Sequence, residues 1–326
     1  MSNQVSIIMY HYVRDLKATR YPKIKGLELE AFRNQLDYFE RFYQFVTVPE
    51  CIAALRGELE LPKNSVLLTF DDAILDHYTN VFPLLNERGI MGCFFPPARA
   101  VLENQMLDIH KIHFILSVTE DPDQLLSEVF AYMDEYRSQN ELPENDYYKE
   151  NFLKPMRFDH KNIGLIKKLL QRELPKNLRN TIVTKLFAKY VSVDERAFCE
   201  ELYMSVDQIK TLQRNGMYVG SHCHDHVWLN SVDEVEQKFQ IDQSLEFLRI
   251  VGAPTEDWVM CYPHGGYDES VINILKQSKC AMALAVEVGI ADLSQDNAFT
   301  LKRLDTNDIP KEKDAEANEW TRKVLA

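Results

Sequence analysis

Long apolar segments are absent from this sequence of 326 residues, although 45% of its residues are hydrophobic. No stretch approaches the about 20 consecutive apolar residues that a helix needs to cross a bilayer. The first residues also lack the basic segment and the long apolar segment of a secretory signal peptide. The sequence therefore predicts no membrane span, and we expect a cytoplasmic protein.

An excess of positive charge and clustered cysteines are absent as well, since 37 Lys and Arg residues stand against 50 Asp and Glu residues. The formal net charge is -13, which argues against a nucleic-acid partner because phosphate binding needs clustered lysine and arginine. The six cysteines are scattered without the paired spacing of a zinc cluster, and in a cytosolic chain they are most simply reduced thiols. The sequence also has no internal repeat and no glycine-rich nucleotide-binding loop. These features leave an acidic globular protein whose oligomeric state is open.

Short apolar segments alternate with helical patterns in the two outer parts of the chain. Such alternation is typical of parallel βα units, which build a barrel or an open doubly wound sheet. Residues 104–203 show helical patterns and no convincing strand, which indicates a helical insertion. We therefore predict an α/β domain, formed by residues 1–103 and 204–326, around this insertion. The predicted strands cover residues 5–10, 45–48, 66–70, 91–95, 217–219, 258–261, 281–286 and 299–301.

Two adjacent aspartates, Asp71 and Asp72, follow the apolar run 66–70. The run is typical of a strand buried on both faces, and α/β folds keep their chemistry at the carboxyl ends of such strands. Two neighbouring carboxylates repel each other unless a cation or a shared proton relieves the repulsion. The pair therefore indicates a functional site, with an unusual helix start as the alternative.

Three histidines, His222, His224 and His226, lie just after the predicted strand 217–219. On a helical turn, His222 and His226 would share one face, which is a common way to present two imidazoles to one metal, and His224 would point elsewhere. With one of the two aspartates they would form a metal site with open positions. Such a site suits Zn2+, and also Co2+, Ni2+ or Fe2+. A purely structural role for the histidines is the alternative.

A second pair of histidines, His110 and His113, lies within the insertion. Their spacing places them on one helix face, so they could serve as metal ligands. They lie outside both groups of candidate residues, and packing or capping is therefore the favoured interpretation.

The two motifs resemble those of the polysaccharide deacetylase (NodB homology) family. Residues 69–73 (TFDDA) resemble its first motif, usually written TFDDG, and residues 221–229 (SHCHDHVWL) resemble its second, a His-x-x-x-His after Gly-Ser or Gly-Asn. Further similarities are found in residues 9–11 (MYH), 93–96 (CFFP) and, as a variant third motif, 262–268 (YPHGGYD). The resemblance covers about residues 5–98 and 203–308 and does not extend to the sequence of the insertion.

The resemblance implies a distorted (β/α)7-type barrel with a divalent metal, expected to be Zn2+, at the carboxyl ends of its strands. Carried over by position, Asp72, His222 and His226 would be the metal ligands and Asp71 the general base. With Asp72 bound to the metal, Asp71 can stay ionised and take a proton from the attacking water. The metal would polarise an acetamide carbonyl, and the backbone N–H of His264 would help bind the developing oxyanion.

The chain departs from the family's pattern at two places. The third motif usually begins with an arginine that orients the base, and Cys261 stands there instead, where we expect it to act as a small buried hydrophobe. Arg303, at a late strand exit, is a candidate for the missing guanidinium, with a plain surface ion pair as the alternative. The family's late Leu-x-His motif, its usual general acid, is also missing, and His264, His11 or water could replace it.

The predicted function is the removal of an acetyl group from an N-acetylated sugar during the biosynthesis of a surface polysaccharide. The candidate substrate-binding residues are His11, Pro97, Tyr262 and Tyr267. Because no export signal is evident, we expect a nucleotide-linked, lipid-linked or otherwise small sugar rather than a cell-wall polymer. The alternatives are a C–N hydrolase acting on a non-sugar amide or cyclic amide, and a catalytically silent carbohydrate-binding protein.

Overall fold

The computed structural model describes residues 3–155 and 160–325. Their contacts divide them into two compact units. The first unit contains the residues up to Asp15, Gly26–Gln105 and the residues from Cys199 on, and the second contains Leu16–Lys25 and Met106–Phe198. The segment Leu16–Lys25, which the sequence analysis assigned to the barrel, therefore groups with the helical insertion.

The strands of the described residues all belong to the first unit. They lie close to their predicted positions because apolar runs between turn residues mark buried strands well. They are β1 (Gln4–Tyr10), β2 (Val13–Arg14), β3 (Leu27–Glu28), β4 (Gln44–Phe45), β5 (Ser65–Asp71), β6 (Gly92–Phe95), β7 (Tyr218–Val219), β8 (Trp258–Cys261), β9 (Cys280–Val288), β10 (Ala291–Asp292) and β11 (Leu301–Asp305).

The central sheet is parallel and has the strand order β7-β6-β5-β1-β11-β9-β8. β1 pairs with β5 from Val5↔Ser65 to Tyr10↔Phe70, which places β5 in the interior of the sheet. The short β4 pairs in parallel with β5, β10 pairs antiparallel with β1, and β2 pairs with β3 in a separate ribbon. Because the central strands are parallel, their carboxyl ends meet at one end of the sheet.

The two outer strands of this sheet, β7 and β8, are joined through Ser221, just after β7. The N–H of Ser221 donates to the carbonyl oxygen of Val259 at 2.9 Å, and the N–H of Cys261 donates to the carbonyl oxygen of Ser221 at 2.9 Å. The sheet therefore curls until its two edges meet at this seam. The predicted (β/α)7-type barrel is confirmed.

Gly220 lies at the seam, and we expect Gly220→Ala to destabilise the barrel. A Cβ atom on Gly220 would lie 2.5 Å from Cε1 of Phe95 and 2.7 Å from the carbonyl oxygen of Val259, which is backbone at the seam. Overpacking of this kind usually lowers the free energy of unfolding by about 1–3 kcal/mol, which denaturant titration measures. Gly289→Ala is the matched control, because its Cβ would meet only the flexible side chain of Lys302, at 2.9 Å. Equal losses in both variants would contradict this explanation.

The inward-facing residues change from apolar to polar along the strands, whose side chains alternate between the two faces. On β5, Leu67 belongs to the buried interior cluster, and Asp71 lies four residues later on the same face. On β11, Leu301 belongs to the same cluster, and Arg303 follows two residues later. The carboxyl end of the barrel is therefore the end that carries ionisable groups.

Some of the helices surround the barrel in the first unit, and the others form most of the second unit. Besides short π-helical and 3-10 turns, the helices are α1 (Leu29–Phe42), α2 (Val48–Leu55), α3 (Phe82–Arg88), α4 (Ala98–Leu102), α5 (Asp108–Val118), α6 (Pro122–Asn140), α7 (Asn145–Phe152), α8 (Lys161–Lys168), α9 (Lys176–Tyr190), α10 (Glu195–Leu202), α11 (Val206–Arg214), α12 (Glu234–Val251), α13 (Glu269–Gln277) and α14 (Glu319–Leu325).

The ends of several helices follow signals in the sequence. Gly89 ends α3 with a left-handed φ of 68°, which glycine adopts at little cost. The side chains of Ser205 and Asp268 cap α11 and α13 by accepting from the N–H groups of Gln208 and Val271. These capping interactions satisfy N–H groups that have no partner inside the helix.

Two predicted strands have wrong boundaries, for local reasons. The segment 45–48 ends as a strand at Phe45 because Thr47 and Glu50 form a capping box that starts α2. The segment 299–301 starts as a strand only at Leu301 because a turn at Asn297 accepts hydrogen bonds from the N–H groups of Phe299 and Thr300. In both places a polar side chain that bonds to the backbone ends the strand pattern.

The second unit is helical, in line with the patterns in residues 104–203. Within it His110 is buried, and its ring centroid lies 5.9 Å from that of His113. Neither histidine belongs to a group of three potential metal ligands among the described residues, which favours the packing interpretation. No helix in the part of the chain that the structure describes is both long and apolar enough to cross a bilayer. The core residues include Ile112, Ile115, Leu125, Val129, Met133, Leu165, Ile182 and Leu186.

Candidate metal centre and active site

Asp71 and Asp72 lie where β5 ends and are 1% and 3% exposed. Asp71 is the last strand residue, whereas Asp72 and Ala73 have positive φ angles of 79° and 57°. This left-handed pair turns the chain sharply, so the two carboxylates face different partners. Glycine adopts such a conformation more easily than alanine, which gives a physical reason for the glycine at the end of the usual TFDDG motif.

The loop after β7 presents His222 and His226 without a helix, so the predicted helical turn is wrong. Cys223 and His226 have positive φ angles of 61° and 55°, which an α-helix of L-residues does not contain. The loop still brings the two imidazoles together, with ring centroids 4.7 Å apart. It is fastened to α4, where the N–H of Ala98 donates to the carbonyl oxygen of Cys223 at 3.0 Å.

Asp72, His222 and His226 form a group that can hold a metal ion. Oδ1 of Asp72 lies 3.4 Å from Nε2 of His222 and 3.2 Å from Nε2 of His226, and the three residues offer donor atoms within 4.8 Å of one another. Two imidazole nitrogens and one carboxylate oxygen suit Zn2+, Co2+, Ni2+ or Fe2+. The residues therefore fit the divalent ion that the sequence predicted, and they leave its identity open.

The orientation of His222 also suits metal binding. Its Nδ1 lies 2.7 Å from the carbonyl oxygen of Cys261. Because a carbonyl oxygen only accepts hydrogen bonds, Nδ1 carries the proton, and Nε2 keeps its lone pair on the side of Asp72. The backbone of β8 thus selects the tautomer of His222.

Asp71 contacts Arg303, whereas the short contacts of His222 and His226 are with Asp72. Nη1 of Arg303 lies 3.1 Å from Oδ1 and 2.9 Å from Oδ2 of Asp71, and Nε donates to the carbonyl oxygen of Ala285 at 2.9 Å. Cys261 donates from Sγ to Oδ2 of Asp71 at 3.4 Å. Arg303 is only 2% exposed, so the surface ion pair is excluded, and the guanidinium lies where it can orient Asp71.

The surroundings of Asp71 favour its ionised form. Burial by itself would raise the pKa of this carboxyl, but Arg303, His222 and His11 together lower the pKa below its ordinary value. Burial raises the pKa of the Cys261 thiol, so this side chain is a neutral donor beside the carboxylate. Asp71 is therefore available as a proton acceptor at neutral pH.

His11 extends from the end of β1 toward both carboxylates. Its Nε2 lies 4.0 Å from Oδ2 of Asp71 and 4.0 Å from Oδ2 of Asp72, and its side chain is 40% exposed. Among the candidate substrate-binding residues, His11 is thus the one beside the paired aspartates. Its exposure leaves it accessible to a substrate.

The segment that follows the paired aspartates braces the segment that contains His11. Oδ2 of Asp76 accepts from the N–H of Val13 at 3.2 Å and from Nε of Arg14 at 2.7 Å. Nε2 of His77 donates to the carbonyl oxygen of His11 at 2.7 Å. The loop after β5 therefore fixes the loop after β1, which positions His11.

His77 makes the stability of the folded protein depend on pH. Burial, acting against smaller effects of its neighbours, lowers the pKa of His77 to about 4, whereas the unfolded side chain titrates near 6.5. Between these two pH values the unfolded chain binds the extra proton, so stability falls as the pH falls from about 6.5 to about 4. A pKa difference of this size corresponds to a loss of about 3 kcal/mol in the free energy of unfolding across this pH range.

We expect His77→Gln, which keeps a donor for the carbonyl oxygen of His11, to flatten this acid decline. Denaturant titrations of both proteins at several pH values between 4 and 7 measure the free energy of unfolding. The difference between variant and wild type isolates His77 from the other titrating groups. Parallel curves for the two proteins would contradict the argument.

His264 lies next to the ligand group. Its ring stacks on Trp228 with centroids 4.7 Å apart and planes 9° apart, and its centroid lies 4.6 Å from that of His226. A φ of 56° at His264 turns the chain after β8. The proposed oxyanion role of its N–H stays a prediction, and the structure adds that its ring packs against a candidate metal ligand.

The other candidate substrate-binding residues are less accessible. Tyr262 is fully buried, donates its hydroxyl to the carbonyl oxygen of Phe299 at 3.0 Å, and stacks on Tyr267 at 4.9 Å. Pro97 is also buried, directly before α4. Tyr262 and Pro97 are thus buried and Tyr267 is half-buried, and the role of these three residues in substrate binding stays a prediction.

Several residues near the site were missed by the sequence analysis. Nε2 of His224, which the sequence analysis placed away from the two candidate ligands, lies 3.3 Å from Oε1 of Glu103. Asp225 accepts from Nη1 of Arg99 at 3.0 Å, which braces the histidine loop. Thr69 lies 3.3 Å from Nη1 of Arg303, and its place in the TFDDA motif was a usable signal. The brace at Asp76 and the stack on Trp228 had no comparable signal, because neither follows from local spacing.

Comparison with known proteins finds a family match for part of this chain. A family model described as polysaccharide deacetylase matches residues 182–283. The matched segment contains His222, His226 and the variant third motif, and it leaves out Asp71 and Asp72. The evidence for the first motif therefore comes from the residues and their geometry.

A curated relative, poly-beta-1,6-N-acetyl-D-glucosamine N-deacetylase of Escherichia coli K12, is 37% identical over 79 residues, which are 24% of this chain. The chain spans 12% of that relative's length. Among solved structures, IcaB of Ammonifex degensii has a TM-score of 0.56 at 18% identity and covers 99% of this chain and 96% of its own.

The Streptococcus pyogenes deacetylase PplD, solved in complex with acetate, has a TM-score of 0.55 at 15% identity and covers 94% of this chain and 93% of its own. At these identities the structural likeness shows the fold alone, and it agrees with the barrel. The matching segment, the shared fold and the motifs agree with one another. The family-model match over residues 182–283, the similarity to the E. coli enzyme and the shared fold together support a NodB-type polysaccharide deacetylase.

Proposed function

We propose that this protein is a metal-dependent N-deacetylase that hydrolyses the acetamide group of an N-acetylated sugar. The observation that carries the proposal is the division of two adjacent carboxylates. Asp72 faces His222 and His226, whereas Asp71 faces Arg303 at 2.9 Å. A metal ligand beside an ionised base is an arrangement that supports metal-assisted amide hydrolysis.

The reaction follows from these positions. A divalent ion held by Asp72, His222 and His226 would supply Lewis acidity that polarises the acetamide carbonyl. Asp71 removes a proton from water while the water oxygen bonds to the carbonyl carbon. The C–N bond then breaks, the amine nitrogen gains a proton, and acetate and the free amine are released. Arg303 keeps Asp71 ionised and oriented throughout.

His11 is the favoured donor of the proton to the leaving amine. It is exposed and lies 4.0 Å from an oxygen of Asp71, so it can approach a substrate above the carboxylates. The ring of His264 is stacked on Trp228, which holds it against the wall of the site. This assignment would replace the late histidine that is missing from the sequence.

The substrate that we propose is a polymer or oligomer of N-acetylglucosamine. The support is the similarity of 79 residues to the E. coli enzyme, whose name specifies poly-beta-1,6-N-acetyl-D-glucosamine. This similarity favours a polymer over the small cytoplasmic sugar that the lack of an evident export signal suggested. The silent-protein alternative rested on the missing arginine and on the missing late histidine. The contact between Arg303 and Asp71 speaks against the first reason, and the second is left to the test below.

Acetate release tests the proposal. Purified protein, freed of metal with a chelator and reloaded with Zn2+, Co2+, Ni2+ or Fe2+, is incubated with N-acetylglucosamine oligomers, UDP-N-acetylglucosamine and simple amides. We expect acetate and free amine in equal amounts from the oligomers, only after reloading. Release from simple amides alone would favour the C–N hydrolase alternative, and no release with any metal would favour a silent protein.

A further inference from the structure

A second group of potential metal ligands overlaps the first. Asp71, His222 and Cys261 are all buried, and each offers a donor atom within 4.8 Å of the others. A carboxylate, an imidazole and a thiolate together suit Zn2+ and softer ions. The chain therefore contains two sets of three candidate ligands that share His222, and occupation of the second would remove Asp71 from the reaction.

The two sets compete because His222 can serve only one of them at a time. Its Nδ1 contacts the carbonyl oxygen of Cys261 at 2.7 Å, and its Nε2 faces Asp72 at 3.4 Å. A metal in the second set would either take Nε2 away from Asp72 or break the contact that orients the ring. Binding of the metal by Asp72, His222 and His226 therefore requires a feature of the site that disfavours the second set.

Arg303 lies at the second set and not at the first. Its Nη1 is 2.9 Å from Oδ2 of Asp71, and Sγ of Cys261 contacts the same oxygen at 3.4 Å. The guanidinium is permanently charged and 2% exposed, so little solvent screens it. A divalent ion between Asp71 and Cys261 would meet this fixed positive charge at close range, which is strongly unfavourable.

We propose that Arg303 is a positioning residue that determines where the metal binds, by keeping divalent ions out of the Asp71–His222–Cys261 set. The inference rests on the proposed metal site. Because Cys261 lies beside Asp71 in this chain, Arg303 has two roles. It orients the base, and it keeps the base free of metal.

Cobalt titration of four proteins tests the proposal: wild type, Arg303→Leu, Arg303→Lys, and the double variant Arg303→Leu/Cys261→Ala. A thiolate bound to Co2+ gives a near-ultraviolet charge-transfer band, which imidazole and carboxylate ligands do not give. We expect this band only in Arg303→Leu, since Arg303→Lys keeps the charge and the double variant lacks the thiol. Arg303→Leu should also bind Cd2+ more tightly than the double variant, because only Arg303→Leu offers the thiolate of Cys261 as a soft ligand.

Three results would overturn the proposal: a band in the wild type that Cys261→Ala removes, a band in Arg303→Lys equal to that in Arg303→Leu, or metal binding by folded Arg303→Leu without a band. Where Arg303→Leu fails to fold, the comparison of wild type with Cys261→Ala in excess Cd2+ keeps the proposal falsifiable, because tighter binding by the wild type would show that metal enters the second set despite Arg303. The other five cysteines are common to both proteins, so the difference isolates Cys261. Failure of the wild type to bind any Co2+ would instead contradict the proposed function, which keeps the two tests distinct.

Discussion

Asp71→Asn is expected to lower kcat for deacetylation by about 100- to 10,000-fold, the usual contribution of a general base. The amide keeps the shape of the carboxylate and still accepts from Arg303, but it cannot take a proton from water. Because Asp71 contacts Arg303, whereas the short contacts of the histidine pair are with Asp72, the content of bound metal should stay at the wild-type level. Acetate release under saturating substrate, with metal analysis of the same sample, measures both quantities.

The content of bound metal in Asp71→Asn distinguishes a general base from a metal ligand at this position. A variant that loses metal along with activity would show that Asp71 is a ligand, and a variant with nearly full kcat would remove it as the base. Thermal unfolding of the variant serves as a check on its fold, since the substitution leaves the buried charge of Arg303 without a carboxylate. Unfolding close to that of the wild type would assign the loss of activity to chemistry.

Asp72→Ala is expected to abolish both metal binding and activity. Asp72 lies 3.4 and 3.2 Å from the Nε2 atoms of His222 and His226, so its removal leaves two imidazoles with no carboxylate between them. Substitution of an outer-shell partner of a metal usually lowers the metal affinity by up to about 100-fold. Asp72 would be a direct ligand, so we expect a loss of more than about 100-fold. Titration calorimetry and the rise in Tm on adding metal both report this, because a ligand that binds only the folded state stabilises it.

Asp71→Asn is the matched control for Asp72→Ala, since the two aspartates are adjacent, equally buried and at the end of the same strand. We expect added Zn2+ to raise Tm in the wild type and in Asp71→Asn, and to leave Tm unchanged in Asp72→Ala. Equal responses in the two variants would contradict the division of roles on which the proposed function depends. Wild-type activity in Asp72→Ala would contradict the metal-dependent mechanism itself.

The sequence alone determined the class of fold and the main candidate residues. Apolar runs mark parallel strands, and the paired aspartates and clustered histidines mark the strand ends that carry chemistry, because these features depend on residues that are close together in the chain. The helix ends at Gly89, Ser205 and Asp268 depend on similarly local features. Such local features were misleading where spacing alone suggested a helical turn at His222 and His226, since spacing does not reveal left-handed residues.

Only the tertiary structure decided which residues meet. Arg303 contacts Asp71 across 232 positions of sequence, and the seam at Ser221 joins strands from distant parts of the chain. No local pattern encodes such contacts, because they arise from the order of strands in the barrel and the direction in which each side chain points. The sequence offered a candidate base, candidate metal ligands and Arg303 as a candidate for the missing guanidinium, and the folded barrel brings Arg303 on its last strand into contact with Asp71.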